Sequence, residues 1–105
     1  MPVNNDNAVN ARLDRVLARK DDIVSRDIAG ETFLVPIRGD LADMQKIFTL
    51  DTVAAFIWDS IDGKRALSDI LDSVTGKFDV TRESAAADLE AFYGELLENG
   101  LILEL

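Results

Sequence analysis

Cysteine and histidine are both absent from this chain of 105 residues. Without cysteine there is no disulfide, no thiolate nucleophile and no cysteine-ligated zinc. Without histidine there is no imidazole to act as a general base or to hold a catalytic zinc ion. The carboxylates, the lysines and the single tyrosine form no recognisable catalytic constellation. An enzyme would therefore have to rely on carboxylates, lysines or the tyrosine alone, and we expect no metal site and no cofactor.

Targeting signals and long apolar runs are also missing. Residues 1–10 are polar and rich in asparagine, and they have neither a basic start nor an apolar core. No later run approaches the roughly 18 apolar residues of a membrane span. A chain of this length forms one domain with one core. We expect a cytoplasmic protein with no membrane partner, whose first residues form a frayed tail.

Positive charge is scarce. Eleven basic residues stand against twenty acidic ones, which gives a net charge of −9. Residues 79–105 contain seven acidic residues and a single basic residue, Arg82. This segment would repel nucleic acid, so we expect no nucleic-acid partner. The acidic side chains either solvate the outer face of a helix, which is the interpretation we favour, or form a site for a cation or a basic partner.

Two short runs rich in β-branched and aromatic residues, 23–28 and 32–37, predict the strands of a hairpin. Gly30 lies in the turn between them and can supply a positive φ. Pro36 has no N–H to donate, so we expect it at a strand end, a bulge or an outward-facing edge. Ahead of the hairpin, a turn or two of amphipathic helix is permitted by the spacing of Val9, Leu13, Val16 and Leu17.

A third strand is predicted over 46–50, after a polar loop at 38–45, and it leads without a linker into a helix. Asp51 is the natural N-cap of that helix, because its carboxylate can accept the backbone N–H groups of the first turn. Asp62 and Gly63 are expected to end the helix. Its apolar residues recur with helical spacing at Val53, Ala54, Ile57, Trp58 and Ile61.

Two further amphipathic helices follow. The second helix has its apolar stripe at Leu67, Ile70, Leu71, Val74 and Phe78. The third begins at Thr81 as N-cap and ends near Gly100, with an apolar face made of Ala85, Ala86, Leu89, Phe92, Tyr93, Leu96 and Leu97. Residues 101–103 predict a short terminal strand. Trp58 and Tyr93 each lie on an apolar helix face, so we expect both in the core rather than in a ligand site.

Three strands followed by three helices predict an α+β domain of winged-helix type, in which a three-stranded antiparallel sheet precedes a three-helix bundle. Such a sheet has two edges. An exposed edge is a row of unpaired N–H and C=O groups that can accept another chain.

Several motifs stand in a recognisable order along the chain. They are Leu50-Asp51 at a strand end, the pair Ile57-Trp58, the stop Asp62-Gly63 and the terminal Leu96-Leu97-Glu98-Asn99-Gly100-Leu101. With the stretches 25–36 and 48–59, they resemble the PqqD family from about Ala18 to the C-terminus. The resemblance implies a recognition domain over 18–105 after a polar extension over 1–17. Asp51 stands where asparagine is usual in the family, which keeps the cap but adds a charge.

Proteins of this family hold the leader of a ribosomally made, post-translationally modified peptide (RiPP) and present it to a modifying enzyme, often a radical S-adenosylmethionine (radical SAM) enzyme. They do no bond chemistry themselves. The resemblance therefore implies a RiPP recognition element, that is, a non-catalytic peptide chaperone. It implies a precursor peptide and a peptide-modifying enzyme as partners. It leaves open whether the pathway makes pyrroloquinoline quinone (PQQ) or another peptide product.

In the family the leader adds as a strand beside the third strand, in a cleft shared with the third helix. Main-chain pairing then supplies affinity, and pockets for alternate side chains supply specificity. Carried onto this chain, the peptide-binding residues are Lys46, Ile47, Phe48, Thr49 and Leu50 on the strand and Ala86, Leu89, Glu90, Tyr93 and Leu97 on the helix.

Two other classes of protein share parts of this pattern. A winged-helix DNA regulator would have the same spacing over 66–99, but its recognition helix would carry basic residues. An edge-strand domain that associates with itself would form a homodimer, and the sequence does not exclude this arrangement.

Overall fold

A computed structural model describes residues 13–105. The chain forms five strands and four helices in this range. In order they are β1 (Leu17–Arg19), β2 (Ile23–Ile28), β3 (Glu31–Pro36), α1 (Gly39–Asp43), β4 (Phe48–Leu50), α2 (Thr52–Ser60), α3 (Leu67–Lys77), α4 (Arg82–Glu98) and β5 (Ile102–Glu104).

The predicted α+β class is confirmed. Strands β2, β3 and β4 form a three-stranded antiparallel sheet with β3 in the centre. A second sheet, of two strands, pairs β1 with β5 in antiparallel fashion, so that Leu17 lies opposite Glu104. The short strand predicted over 101–103 is therefore present one residue further on.

Strand β1 corrects part of the prediction of an amphipathic turn before the hairpin, because Leu13 is helical but Val16 and Leu17 are not. Leu17 is 2% exposed and belongs to β1, and Val16 forms a bridge with Ala66. The pairing partner of β1 lies at the other end of the chain, and a local apolar spacing cannot reveal a contact of that range. Val9 and the predicted tail lie outside the described residues.

The hairpin of β2 and β3 closes as predicted. Ile28 pairs with Glu31 across a two-residue turn in which Ala29 has φ 53° and Gly30 has φ 84°. Two positive φ angles are typical of a type I′ turn, whose twist matches that of the flanking strands. Pro36 is the last residue of β3, where its missing N–H costs no ladder bond. Gly30 suits this turn, whereas Ala29 adopts the left-handed conformation at a cost.

The predicted loop at 38–45 contains the short helix α1, so that prediction is wrong in part. Gly39, with φ 83°, begins it, and the N–H of Met44 donates to the carbonyl of Asp40 at 2.9 Å. Five residues are too few to show a helical stripe. Strand β4 is also shorter than predicted, because Lys46 and Ile47 precede its first residue.

Helices α2 and α4 have ends that specific residues define. Asp51 caps α2, since its Oδ1 accepts from the N–H of Ala54 at 2.8 Å. Thr81 caps α4 through a 3.1 Å bond from the N–H of Ser84 to its hydroxyl. At the end of α4 the N–H of Gly100 donates to Leu97 and that of Leu101 to Leu96, which is a Schellman motif. These three ends are where the sequence predicted them.

Asp62 and Gly63 end α2 as predicted. The Asp62 carboxylate accepts from the N–H groups of Arg65 and Lys64, both at 2.9 Å, and these bonds hold the pKa of Asp62 below its ordinary value. Gly63 has φ 77°, and its N–H donates to the carbonyl of Leu17 at 2.8 Å. The turn therefore ties the end of α2 to β1.

The core lies between the inner face of the main sheet and helices α2, α3 and α4. Trp58 is 1% exposed and Tyr93 is 9% exposed, so both are core residues as predicted. Leu34 and Leu89 are buried beside them. No helix within residues 13–105 combines the length and the apolar character that crossing a membrane requires.

We expect Ala29→Asn to stabilise the protein by about 0.5–1 kcal/mol, because asparagine tolerates the left-handed conformation that alanine resists. Urea unfolding followed by circular dichroism measures the change. Gly30→Ala is the opposite control. A Cβ at Gly30 would meet nothing within 4 Å, so any destabilisation comes from its φ. A lower unfolding midpoint for Ala29→Asn would contradict the assigned turn.

Candidate functional site: a groove beside the free edge of β4

Strand β4 is an edge strand. Among the described residues it pairs with β3 alone, with Leu34 opposite Phe48, Phe33 opposite Thr49 and Thr32 opposite Leu50. The other edge of β4 faces a groove. The hydrogen bonds of antiparallel strands alternate in direction along each strand, and this alternation identifies the backbone groups of β4 that point into the groove.

The alternation can be counted from the hairpin. The N–H of Ile37 donates to the carbonyl of Asp22 at 2.9 Å, so position 37 bonds toward β2. Positions 31, 33 and 35 then also bond toward β2, whereas 32 and 34 bond toward β4. Phe48 and Leu50, opposite positions 34 and 32, therefore bond to β3. Thr49 directs its N–H and C=O to the free edge.

The side chains of β4 alternate between the two faces of the sheet. Leu50 is 8% exposed and Phe48 packs against the core, so both lie on the inner face. Thr49 is exposed on the outer face, and Ile47, just before the strand, is 60% exposed. The free edge of β4 thus combines an accessible main chain with an apolar inner surface.

A groove with a volume of about 560 Å³ runs between β4, the start of α2 and one face of α4. That volume is in the range of small-molecule pockets. Its floor is apolar and includes the buried side chains of Leu34, Ile57, Leu96 and Leu101. Val53 and Ala54, at the start of α2, close the end beside Asp51.

The helical wall of the groove is a single stripe along α4. Asp88, Phe92, Glu95 and Asn99 follow one another at intervals of four, three and four residues, and Ala91 lies beside them. Such intervals place side chains on one helix face. Phe92 is half-buried and packs against the core. The groove therefore has an apolar floor and a rim that carries the carboxylates of Asp51, Asp88 and Glu95.

The structure brings the predicted strand residues to this groove. Ile47, Phe48, Thr49 and Leu50 all line it, and Lys46 directly precedes them without being among the lining residues.

The predicted helix residues lie elsewhere on α4. Leu89 is 1% exposed, and the Tyr93 hydroxyl donates to the carboxylate of Glu104, so both belong to the packed interior. Glu90 and Tyr93 border a shallow depression formed with Gly94 and Glu98, not the groove. Ala86 packs against the core, and Leu97 is 36% exposed. Contact of these five residues with a peptide stays a prediction.

The predicted helix residues lie away from the groove because the most apolar stripe of α4 is the stripe that packs on the domain core. The groove face lies next to it and is mixed in character, because its residues remain partly accessible. A sequence signal existed in the regular spacing of Asp88, Phe92, Glu95 and Asn99. Apolar periodicity alone does not select such a stripe.

Comparison with known proteins gives one family and two similar structures. Residues 31–102 match the model of the family described as coenzyme PQQ synthesis protein D (PqqD). No curated protein matches the chain in sequence.

The first similar structure is "TbiB1 in Complex with the TbiA(beta) Leader Peptide". It is 25% identical, with a TM-score of 0.66 over 81% of this chain and 93% of that chain. The second is "Lasso peptide synthetase B1 complexed with the leader peptide". It is 22% identical, with a TM-score of 0.68 over 83% of this chain and 96% of that one. The second likeness concerns the fold alone.

Leu89→Ala should lower the free energy of unfolding by about 2–5 kcal/mol, because it removes a fully buried side chain. Leu97→Ala is the matched control on the same helix and should cost less than about 1 kcal/mol, since that side chain is partly exposed. Urea unfolding of the two variants measures both values. Equal stability of the two variants would contradict the assignment of Leu89 to the core.

Proposed function

Because the chain belongs to the PqqD family, we propose that it is a non-catalytic peptide-binding domain that holds the leader of a ribosomally made precursor peptide. The leader lies in the groove as an added strand beside β4. The domain presents it to a peptide-modifying enzyme, of the radical SAM type or another, in PQQ synthesis or in a different peptide pathway. It works as a recognition element in the cytoplasm.

The observation that carries the proposal is that the N–H and C=O of Thr49 point to the free edge of β4, beside a groove that is open to solvent. An extended peptide can satisfy both groups by main-chain pairing, whatever its side chains are. A strand edge with no groove beside it would offer the same bonds without burying the peptide. The apolar floor adds burial, and its contribution scales with the area removed from water.

The dimensions of the groove suit a short strand. The wall from Asp88 to Asn99 covers eleven helical steps, or about 16 Å at 1.5 Å per residue. An extended chain advances about 3.3 Å per residue. The groove therefore accommodates about five residues of peptide. Every second side chain of that segment points toward α4 and the others point to the outer face of the sheet.

The first similar structure is, by its description, a complex with a leader peptide. That likeness supports a leader as the occupant here. The DNA-regulator alternative is not favoured, because the third long helix of the domain, α4, carries Glu83, Asp88, Glu90, Glu95 and Glu98.

Thr49→Pro should weaken binding of the precursor peptide encoded beside the gene by at least about tenfold, because the variant loses the outward N–H and its ring blocks close approach of a strand. The fold should survive, since that N–H makes no bond to β3. Isothermal titration calorimetry measures the affinity, and circular dichroism checks the fold. Thr49→Val, which keeps the N–H, is the control and should bind like the wild type. Unchanged affinity in a folded Thr49→Pro variant would overturn strand addition at β4.

Self-association through the same edge would have a different signature. A homodimer paired along β4 would show a mass that rises with protein concentration in sedimentation, and Thr49→Pro would abolish the rise. We expect a constant monomeric mass in the absence of peptide. A dimer that dissociates when the precursor peptide is added would mean that the two compete for one edge.

A further inference from the structure

The groove carries a charge pattern that the proposed function does not by itself require. Asp51, Asp88 and Glu95 contribute carboxylates to its lining, and no lysine or arginine is among the described residues that line it. We propose that the groove selects a leader segment with the pattern basic–any–apolar–any–basic, in which the basic side chains meet Asp88 and Glu95. This inference rests on the proposed function and adds the chemistry of the bound segment.

The two carboxylates on α4 are available to a ligand. Asp88 and Glu95 are exposed, and neither forms an ion pair within residues 13–105, where the ion pairs are Arg15–Glu104, Arg65–Asp62 and Arg82–Asp72. Asp51 differs, because its carboxylate already accepts the N–H of Ala54 at 2.8 Å. Asp88 and Glu95 are therefore the groups whose charge a bound peptide would neutralise.

The spacing along α4 gives the pattern. Asp88 and Glu95 are seven residues apart, which is about 10 Å along the helix axis. That distance is too great for the two to share one metal ion, whose ligand bonds are about 2.0–2.6 Å. Alternate residues of a strand are about 6.7 Å apart, so positions i and i+4 of the peptide lie about 13 Å apart. The flexible stems of lysine and arginine cover the difference.

The central position of the pattern follows from Phe92. This side chain lies between Asp88 and Glu95 on the same stripe, is half-buried and lines the groove above its apolar floor. The peptide residue at i+2 points toward α4 between the two basic residues, so it meets Phe92. An apolar side chain there is buried, whereas a charged one would lose hydration without gaining a partner.

A net charge of −9 attracts any basic peptide over a long range, so the test must separate this general field from the groove. Asp79→Asn/Glu98→Gln is a matched control for Asp88→Asn/Glu95→Gln. Both double variants remove one aspartate and one glutamate charge, and neither Asp79 nor Glu98 is among the residues that line the groove.

The experiment pans a display library of random twelve-residue peptides in parallel against the wild type, the two double variants and Thr49→Pro. We expect the wild type and Asp79→Asn/Glu98→Gln to enrich the basic–any–apolar–any–basic pattern at least about threefold over the library. Asp88→Asn/Glu95→Gln should still select peptides but lose the preference for basic residues. No basic enrichment by the wild type, or equal enrichment by both double variants, would overturn the inference.

The Thr49→Pro variant distinguishes a failure of the charge selectivity from a failure of strand addition. If it selects nothing while the wild type selects peptides without a charge preference, the peptide-binding groove stands and the charge selectivity is wrong. If it selects the same peptides as the wild type, strand addition itself is wrong, and the inference falls with it.

A selected peptide then gives the size of the effect. Synthesised with lysine or with glutamate at its two groove-facing positions, it should bind the wild type about three- to tenfold more tightly in the lysine form by fluorescence anisotropy at 150 mM salt. The ratio should fall toward one for Asp88→Asn/Glu95→Gln. A ratio of one for the wild type would contradict the inference.

Discussion

The site depends on where α4 packs. This helix contacts α3 and β5, and its buried side chains Leu89 and Leu96 hold it against the core. It does not close over β4, so a groove remains between the helix and the strand edge. If α4 instead packed directly on β4, the free edge would be covered and the main-chain groups of Thr49 would have no access to a ligand. The packing of one helix against the core thus leaves a binding edge open on the sheet.

An open strand edge is also a risk, because it can pair with any extended chain. Here β4 has three residues, which limits the length of any ladder, and acidic side chains stand along the groove. A short edge and a rim of one charge both disfavour indiscriminate pairing between copies of the chain. The same features leave enough main chain for a short peptide strand that brings its own apolar and basic side chains.

The sequence predicted those features that depend on local chemistry. The caps at Asp51 and Thr81, the turn at Gly30 and the end of α4 at Gly100 each follow from one residue type in one backbone conformation. Strand β1 could not be predicted in this way, because its partner lies at the opposite end of the chain. The face of α4 that lines the groove could not be found in this way, since an apolar stripe marks the face that packs and not the partly exposed face beside it. The free edge of β4 could be predicted, because an edge strand exposes its main chain whatever its side chains are.

The most direct test of strand addition is the hydrogen exchange of individual β4 amides, followed by NMR with and without the precursor peptide encoded beside the gene. We expect Phe48 and Leu50 to be protected already in the free protein, because they bond to β3, whereas Thr49 exchanges rapidly. Saturating peptide should then slow the exchange of the Thr49 amide and shift the resonances of Phe92 and Glu95. A peptide that binds while the Thr49 amide still exchanges at its free rate would contradict strand addition at β4.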